Sequence, residues 1–134
     1  MLFRSNSTGN YSVLVTTSGC SGSSTATDVT VNQLPTPTIT PDGPTTFCQG
    51  GSVTLTSTAG DSYLWSPGGE TTQSITVNST GNYSVLVTTS GCSGSSTATD
   101  VTVNALPTPI ISPDGPTIFC QGGSVTLIST AGDS

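Results

Sequence analysis

The chain has no histidine and no lysine, and Arg4 is its only basic residue. Charged residues make up 6% of the sequence, and the net charge is −6 at pH 7. Proteins that bind nucleic acid or an anionic membrane surface depend on clustered basic side chains that neutralise phosphates. We therefore expect no nucleic acid among the partners of this protein, and no membrane insertion.

Residues of the kind that carry out catalysis or hold metal ions are also scarce. Histidine is the most frequent general base and the commonest metal ligand, and the chain has one glutamate, Glu70, beside six aspartates. The aspartates occur singly in turn-like segments, whereas calcium loops cluster their carboxylates. The four cysteines are far apart and unaccompanied by histidine, unlike the ligands of zinc sites. The sequence predicts no catalytic residue, no metal site and no cofactor, and hence no enzyme.

Hydroxyl side chains are abundant instead, with 22 serines and 27 threonines among 134 residues. Hydrophobic residues make up only 31% of the chain, but they include many valines and isoleucines, which alternate with threonine or serine. That alternation suits strands with one buried face, and it separates the chain from disordered sequences of similarly low hydrophobicity. We expect an extracellular, all-β protein.

A repeat of 72 residues runs through the sequence. The first and third cysteines are 72 positions apart, as are the second and fourth. Shifting the chain by this period places residues 7–62 on residues 79–134, which are 56 positions with only five differences. Four of the five exchanges keep a small or β-branched residue, so the strand pattern is preserved. Such similarity is typical of duplicated units in a tandem array.

Proline-rich segments divide the repeat into domains. The run Gln-Leu-Pro-Thr-Pro at residues 33–37 returns as Ala-Leu-Pro-Thr-Pro at residues 105–109, and runs of this kind form stiff, extended linkers. One complete unit therefore occupies residues 35–106. Residues 1–34 are predicted to be the C-terminal part of a preceding unit, and residues 107–134 the N-terminal part of a following one.

Within the complete unit, short alternating segments separated by turn residues predict strands and no helix. The predicted strands are residues 37–40, 51–57, 62–66, 73–77, 82–88 and 97–103. Strands of this number and spacing indicate a sandwich of two sheets. The side chains expected to point into its core are Ile39, Val53, Leu55, Trp65, Ile75, Val77, Tyr83, Val85, Val87, Val101 and Val103. A core of this size is small, so disulfides or neighbouring domains are expected to add stability.

Several motifs of the unit resemble immunoglobulin-like (Ig-like) domains, whose second strand, core tryptophan and tyrosine corner follow one another in this order. The residues that carry the resemblance are Gly51, Val53, Leu55, Trp65, Gly81, Tyr83 and Val85. Together with residues 47–50, 66–69 and 90–92, they are similar to the Ig-like tandem repeats of large Bacteroidota cell-surface proteins, adhesins of the type IX secretion and gliding-associated kind. The resemblance implies tandem Ig-like β-sandwiches in a bacterial extracellular stalk or adhesive filament.

The resemblance also bears on how the cysteines pair. Ser57 and Val85 stand where antibody domains have their core cysteines, while Cys48 precedes the second strand and Cys92 follows the strand at residues 82–88. An Ig-like topology puts these two cysteines at opposite ends of a domain, and a disulfide needs Cα atoms about 4.4–6.8 Å apart. Two alternatives therefore stay open: disulfides between neighbouring domains, or an intradomain bond under a variant topology. Four cysteines allow three pairings, and the sequence does not choose between them. The predicted disulfide-forming residues are Cys20, Cys48, Cys92 and Cys120.

The two partial units are complementary. Residues 1–34 carry late strands and residues 107–134 carry early strands, and an incomplete sandwich exposes sheet edges and half a core. Because the complete unit separates them, we expect them to close between chains by strand complementation, giving a head-to-tail homopolymer with disulfides between neighbouring chains. The alternative is that the 134 residues are a window on a longer protein.

The functional prediction is a structural or adhesive extracellular protein, a stalk or filament at a bacterial cell surface whose main partner is itself. The alternative is an Ig-like binding module on a surface adhesin, with surface glycans or proteins of a host or another cell as ligands. A carbohydrate site needs an exposed aromatic platform, and the single tryptophan, Trp65, is assigned to the core. Four asparagines match the glycosylation sequon and are possible glycan carriers: Asn6, Asn10, Asn78 and Asn82.

Overall fold

The computed structural model of the protein describes residues 2–132. These residues form fourteen strands and no helix, and therefore no helix long and apolar enough to cross a membrane. The prediction of an all-β protein is confirmed.

The preceding piece contains β1 (Gly9–Tyr11), β2 (Leu14–Thr17), β3 (Cys20–Ser23) and β4 (Thr27–Val29). The complete unit contains β5 (Ile39–Pro41), β6 (Thr46–Cys48), β7 (Val53–Ser57), β8 (Ser62–Ser66), β9 (Ser74–Val77), β10 (Gly81–Thr89), β11 (Cys92–Ser95) and β12 (Thr99–Asn104). The following piece contains β13 (Ile111–Pro113) and β14 (Leu127–Ser129).

One sheet of the complete unit is antiparallel and has the order β5–β7–β9. β7 lies in the middle, with Leu55 opposite Pro41 of β5 and Ile75 of β9. Successive side chains of a strand point to opposite faces, so Val53, Leu55 and Ser57 are buried while the threonines between them are half-buried. The apolar-polar alternation of the sequence thus sets which face of this sheet meets the core.

The second sheet is built around β10, which pairs with β8 on one side and with β11 and β12 on the other. Leu86 of β10 lies opposite Ser95 of β11, whereas Tyr83 lies opposite Thr99 of β12. The register therefore shifts by one residue, and β11 and β12 form a single outer strand with a β-bulge between them. β6 joins β12 in parallel, so the chain crosses from the first sheet to the second between β5 and β6.

The two sheets enclose one hydrophobic core in a sandwich-like arrangement. Its buried apolar side chains come from β7 and β9 of the first sheet and from β8, β10 and β12 of the second. They are Val53, Leu55, Trp65, Ile75, Val77, Tyr83, Val85, Val87 and Val101. The partly buried side chains at its margin are Ile39, Phe47, Tyr63 and Val103. Every residue expected to point inward lies in this cluster, and Phe47 and Tyr63 join it in addition.

Hydrogen bonds to the backbone fix the two buried aromatic side chains. The indole Nε1–H of Trp65 donates to the carbonyl oxygen of Thr72 at 2.8 Å. The hydroxyl of Tyr83 donates to the carbonyl oxygen of Ser79, four residues upstream, at 3.1 Å. Because each ring keeps its polar atom paired, both can be buried without the cost of an unsatisfied donor. No buried side-chain nitrogen or oxygen lacks a partner within residues 2–132.

Two strands of the complete unit depart from the sequence prediction, and both contain a cysteine. Cys48 ends β6 and Cys92 begins β11, so the prediction that these cysteines lie outside the strands is wrong. β6 has only three residues, of which Phe47 alone faces the core, and it is a strand through its parallel pairing with β12. β11 follows a two-residue turn in which Ser90 and Gly91 have φ of 50° and 78°, as in the type I′ turns of tight hairpins.

The partial units keep the local strand pairing of the complete unit. β1 pairs with β4 and β2 with β3 in the registers that β10 has with β12 and β11. β13 pairs with β14 as β5 does with β7. Within residues 2–132, no strand of the preceding piece pairs with a strand of the following piece. The strands of each piece therefore correspond to one sheet of the sandwich, and the facing sheet is not paired with them.

The repeat supplies a matched pair of stability variants. Val85 is 1% exposed and its counterpart Val13 is 46% exposed. We expect Val85→Ala to lower the free energy of unfolding by about 2 kcal/mol, because two methyl groups leave a packed core. Val13→Ala should change it by less than about 0.5 kcal/mol. Urea unfolding followed by the fluorescence of the single tryptophan measures the complete unit alone, and equal effects of the two changes would contradict this core.

Asp42 links the stability of the complete unit to pH. Its carboxylate accepts a hydrogen bond from the backbone N–H of Thr54 at 2.8 Å, and this backbone bond lowers the pKa of Asp42 below its ordinary value. A lowered pKa in the folded state means that the contribution is present at neutral pH and is lost as pH falls below about 4 through the folded pKa. We expect Asp42→Asn to lower the melting temperature at pH 7, with the difference from the unsubstituted protein vanishing near pH 2.

Asp114 is the control for this pH effect. It makes the same bond to the N–H of Thr126 in the following piece, with a pKa lowered for the same reason. Asp114→Asn should leave tryptophan-detected unfolding of the complete unit unchanged at every pH. A shift as large as that of Asp42→Asn would mean that the following piece unfolds together with the complete unit.

Candidate assembly site

The partial units expose the residues that form the core of the complete unit. Leu127 is 60% exposed, although its counterpart Leu55 is fully buried. Val15 is 57% exposed, against 1% for Val87. The sequences around these positions are identical or nearly so, so the difference lies in what covers them. Each piece presents an apolar sheet face that is suited to a second sheet.

Backbone geometry does not explain this exposure. In the complete unit, the N–H of Ser96 donates to the carbonyl oxygen of Val85 at 2.9 Å, and the equivalent bond from Ser24 to Val13 has the same length. The Tyr11 hydroxyl donates to the carbonyl oxygen of Ser7, as Tyr83 does to Ser79. The preceding piece therefore already has the local fold of the late strands, without the layer that faces them and, among residues 2–132, without a strand in the place of β8.

A cleft of about 330 Å³ lies in front of the apolar face of the preceding piece. Its lining includes Phe3, Tyr11, Val13 and Val29. In the repeat, Phe3 stands at the position of Ile75, which is a core residue of the complete unit. These four side chains are the counterparts of core residues, so an apolar strand layer suits this part of the cleft.

Cys48 lies at the end of the unit from which the next linker leaves. It is the register partner of Asn104, the last residue of β12. The N–H of the following residue, Gln49, donates to the carbonyl oxygen of Asn104 at 2.8 Å. Cys48 is exposed, so its thiol is accessible beside the linker that begins at Ala105.

Cys92 lies at the opposite end, where the preceding linker arrives. Its Sγ is 3.8 Å from the carbonyl oxygen of Asn32, and the side-chain amide of Asn32 donates to the carbonyl oxygen of Ser90 at 3.1 Å. Gly94 touches the same linker, because a Cβ atom at this position would lie 1.9 Å from the carbonyl oxygen of Pro35. The linker at residues 32–35 is thus packed along the start of β11.

The four cysteines are free in the structure of the single chain. Cys92 is paired with Thr89 at the C-terminal end of β10, while Cys48 lies past its N-terminal end. Eight residue steps along an antiparallel strand span about 27 Å, far beyond the reach of a disulfide. An intradomain Cys48–Cys92 bond is therefore incompatible with this fold. Cys20 and Cys120 are both exposed, in the preceding and following pieces.

The side chains considered for ligand binding have other surroundings. Trp65 is 1% exposed and provides no aromatic platform. The Tyr63 hydroxyl, beside it in sequence, donates to the carbonyl oxygen of Gly60 at 3.1 Å and accepts from its N–H. Within residues 2–132, no three histidine, cysteine or acidic side chains gather into a group that would hold a metal ion. The four sequon asparagines are exposed, and Asn82 donates to the Asp100 carboxylate.

Comparison with known proteins assigns no function to this arrangement. No family model matches the chain, and no curated protein is significantly similar to it. The resemblance to Bacteroidota surface repeats, carried by the motifs of the complete unit, therefore remains a prediction. What the chain does has to be inferred from its exposed sheet faces and from its cysteines.

Gly94 tests the packing of the linker. We expect Gly94→Ala to push residues 32–35 away from β11 and to expose Cys92, so that iodoacetamide modifies Cys92 several times faster than in the unsubstituted reduced protein. Gly22→Ala is the matched control, because a Cβ atom at Gly22 meets nothing within 4 Å. The rate at each cysteine is read by mass spectrometry of the alkylated peptides. Equal Cys92 rates in the two variants would show that the linker does not cover this thiol.

Proposed function

We propose that this chain is a non-enzymatic structural or adhesive protein of a bacterial cell surface, in which tandem Ig-like β-sandwiches form an extracellular stalk or filament. Support comes from the way the complete unit is built. Its linkers leave at opposite ends, next to Asn32 and Asn104, so that successive units extend away from each other. Its surface is rich in threonine and serine and nearly devoid of charged pairs, which suits a spacer better than a site of chemistry.

The Ig-like assignment is supported by the topology of the two sheets. The order β5–β7–β9 faces β8–β10–β11/β12–β6, and the chain switches sheets between β5 and β6. The tryptophan lies on β8, and Tyr83 at the start of β10 bonds back to Ser79, as a tyrosine corner does. Ser57 and Val85, which stand where antibody domains have their core cysteines, are both buried.

Assembly between copies of the chain is part of the proposal. Residues 107–132 carry the counterparts of β5 and β7, and residues 9–29 carry the counterparts of β10, β11 and β12. One piece supplies two strands of the first sheet, and the other supplies most of the second sheet. Placed face to face, the following piece of one copy and the preceding piece of another form a composite unit. This is strand complementation, in which paired backbones bind and alternating side chains specify the partner.

The composite unit is less complete than the unit at residues 35–106. It has no counterpart of residues 63–72, which contain most of β8 and the Trp65 side chain. Phe3 partly compensates, since it is larger than the isoleucine whose position it takes. The contact joins two different surfaces of the chain, so it repeats from copy to copy and produces an open filament unless the rotation between copies closes a ring.

The observation that carries the proposal is the contrast between identical residues in covered and uncovered positions. Leu55 and Leu127 occupy the same position of the repeat in nearly identical sequences, and only the second is exposed. Exposed apolar faces of this kind are typical of interaction surfaces. In a longer tandem array, the segments before and after this stretch would cover these two faces, and the function as a stalk would be unchanged.

The proposal includes an adhesive role but specifies no ligand. The alternative of a carbohydrate-binding module loses its main support because Trp65 is in the core. Surface glycans and proteins of other cells would contact the outward rows of threonine and serine. The exposed sequon asparagines place any attached glycans on the same outer surface, where they leave the sheet interface free.

Leu127 and Ile128 test the assembly with a matched control. Both are exposed, by 60% and 55%, but the repeat places Leu127 on the core face and Ile128 at the outward position of Thr56. We expect Leu127→Asp to abolish association, because a buried unpaired charge is costly, and Ile128→Asp to leave it unchanged. Light scattering across a concentration series, with reducing agent present, measures the mass. Tryptophan fluorescence confirms that the complete unit stays folded in both variants.

Two results would contradict the proposed assembly. One is a monomer at every concentration for the unsubstituted chain. The other is an equal loss of association in Leu127→Asp and Ile128→Asp, which would point to non-specific contact between apolar surfaces. If the unsubstituted chain associates as proposed, electron microscopy of the associated material should show filaments built from similar globular units.

A further inference from the structure

Asn104 is a junction residue in the complete unit. Its backbone carbonyl accepts the Gln49 N–H at 2.8 Å, and its Cα is the register partner of Cys48. Neighbouring strands of a sheet lie about 4.8 Å apart. The thiol of Cys48 is therefore held beside the point where the linker leaves the unit.

Asn32 is the equivalent residue one repeat earlier, and its contacts are with the unit that follows it. The Sγ of Cys92 lies 3.8 Å from the Asn32 carbonyl oxygen. The Asn32 side chain is bonded to Ser90, and Pro35 packs on Gly94. These contacts hold the beginning of β11 against the linker, with its cysteine pointing at the asparagine.

Because of the repeat, the contacts at Asn32 and at Asn104 describe two sides of the same kind of junction. Asn32 and Asn104 are 72 residues apart in equivalent positions, so each junction asparagine has a cysteine of the earlier unit on one side and a cysteine of the later unit on the other. We propose that each junction is a disulfide site, at which the Cys48-type cysteine of one unit bonds to the Cys92-type cysteine of the next. Both cysteines adjoin the same asparagine in this arrangement, and the bond requires their Cα atoms to be about 4.4–6.8 Å apart.

This inference rests on the proposed assembly, and it fixes the pairing between copies. The composite unit carries Cys120 of the first copy at its exit end and Cys20 of the second copy at its entrance end. At the junction before the composite unit, Cys48 of the first copy meets Cys20 of the second. At the junction after it, Cys120 of the first copy meets Cys92 of the second. Each cysteine therefore lacks a partner in its own chain because the partner belongs to a neighbouring copy.

The chemistry is thiol–disulfide exchange with a disulfide oxidant such as oxidised glutathione. One cysteine thiolate attacks the oxidant, which gives a mixed disulfide and releases one glutathione. The second thiolate attacks the protein sulfur of that mixed disulfide and releases the second glutathione. The two cysteines lose two electrons, the oxidant gains them, and the two thiol protons end on the released glutathione. An oxidising extracellular compartment favours the bond.

Double cysteine variants of the full chain separate this pairing from all others. Cys20→Ser/Cys48→Ser retains Cys92 and Cys120, which the proposal pairs. Cys48→Ser/Cys92→Ser retains Cys20 and Cys120, which lie at opposite ends of the composite unit. After treatment with oxidised glutathione, the first variant should give a ladder of covalent oligomers on a non-reducing gel and the second should remain at the monomer mass. Cys20→Ser/Cys120→Ser, which retains Cys48 and Cys92, should also stay monomeric under denaturation.

Peptide mapping of the unsubstituted protein under non-reducing conditions identifies the bonds directly. We expect peptides that join Cys48 to Cys20 and Cys92 to Cys120. Ladders of equal extent in all three double variants, or a peptide joining Cys48 to Cys92 within one chain, would overturn the pairing.

A variant with all four cysteines changed to serine distinguishes the two proposals. If it associates under light scattering while the unsubstituted protein forms no junction disulfide, the pairing is wrong and the proposed assembly stands. If neither protein associates, the proposed assembly fails and the intermolecular pairing fails with it.

Discussion

The structure depends on one requirement, that the apolar face of a β-sheet be covered by another layer. The alternation of valine, leucine or isoleucine with threonine gives every strand an inner side, and hydrophobic burial between the two sheets supplies most of the stability of the complete unit. Strand pairing alone does not meet this requirement. The same residues form hairpins in the partial units and still leave their inner sides in water.

Because the repeats are nearly identical, the complete unit and the partial units show which features depend on local sequence and which depend on tertiary contacts. β1, β2, β3 and β4 keep the registers and the Ser90-type turn of the complete unit, so these features belong to the local sequence. Other elements change with their surroundings. Residues 118–120 correspond to β6 but form no strand, because β4, the counterpart of β12, does not pair with them. β14 is shorter than β7, because within the described residues it pairs with β13 alone and no strand takes the place of β9 beside it. The proposed assembly would cover these faces, and the proposed junction disulfides would make it permanent.

Much of the complete unit was predictable, for reasons that differ from residue to residue. The inward positions of Val53, Leu55 and Val85 follow from a period of two along single strands, which is a local property. The burial of Trp65 and Tyr83 followed from motif order, and their hydrogen bonds to Thr72 and Ser79 explain why polar aromatic residues are tolerated there. β6 and β11 were not predictable, since three or four residues are too few for an alternation to stand out, and both are strands through pairing with β12 and β10. The packing of Pro35 on Gly94 carried no signal beyond the small size of a glycine.

The sequence by itself determined the all-β class, the repeat of 72 residues and the inner faces of the main core strands, because these follow from composition and from periodicities along the chain. Only the tertiary structure decided which of the repeated residues are buried, where each cysteine lies relative to the linkers, and that Cys48 and Cys92 are at opposite ends of one unit. Burial and end-to-end position depend on which strands face each other and in which direction they run. Contacts between facing strands join residues that are far apart in the chain. The complete unit has these contacts, and the near-identical segments of the partial units lack them.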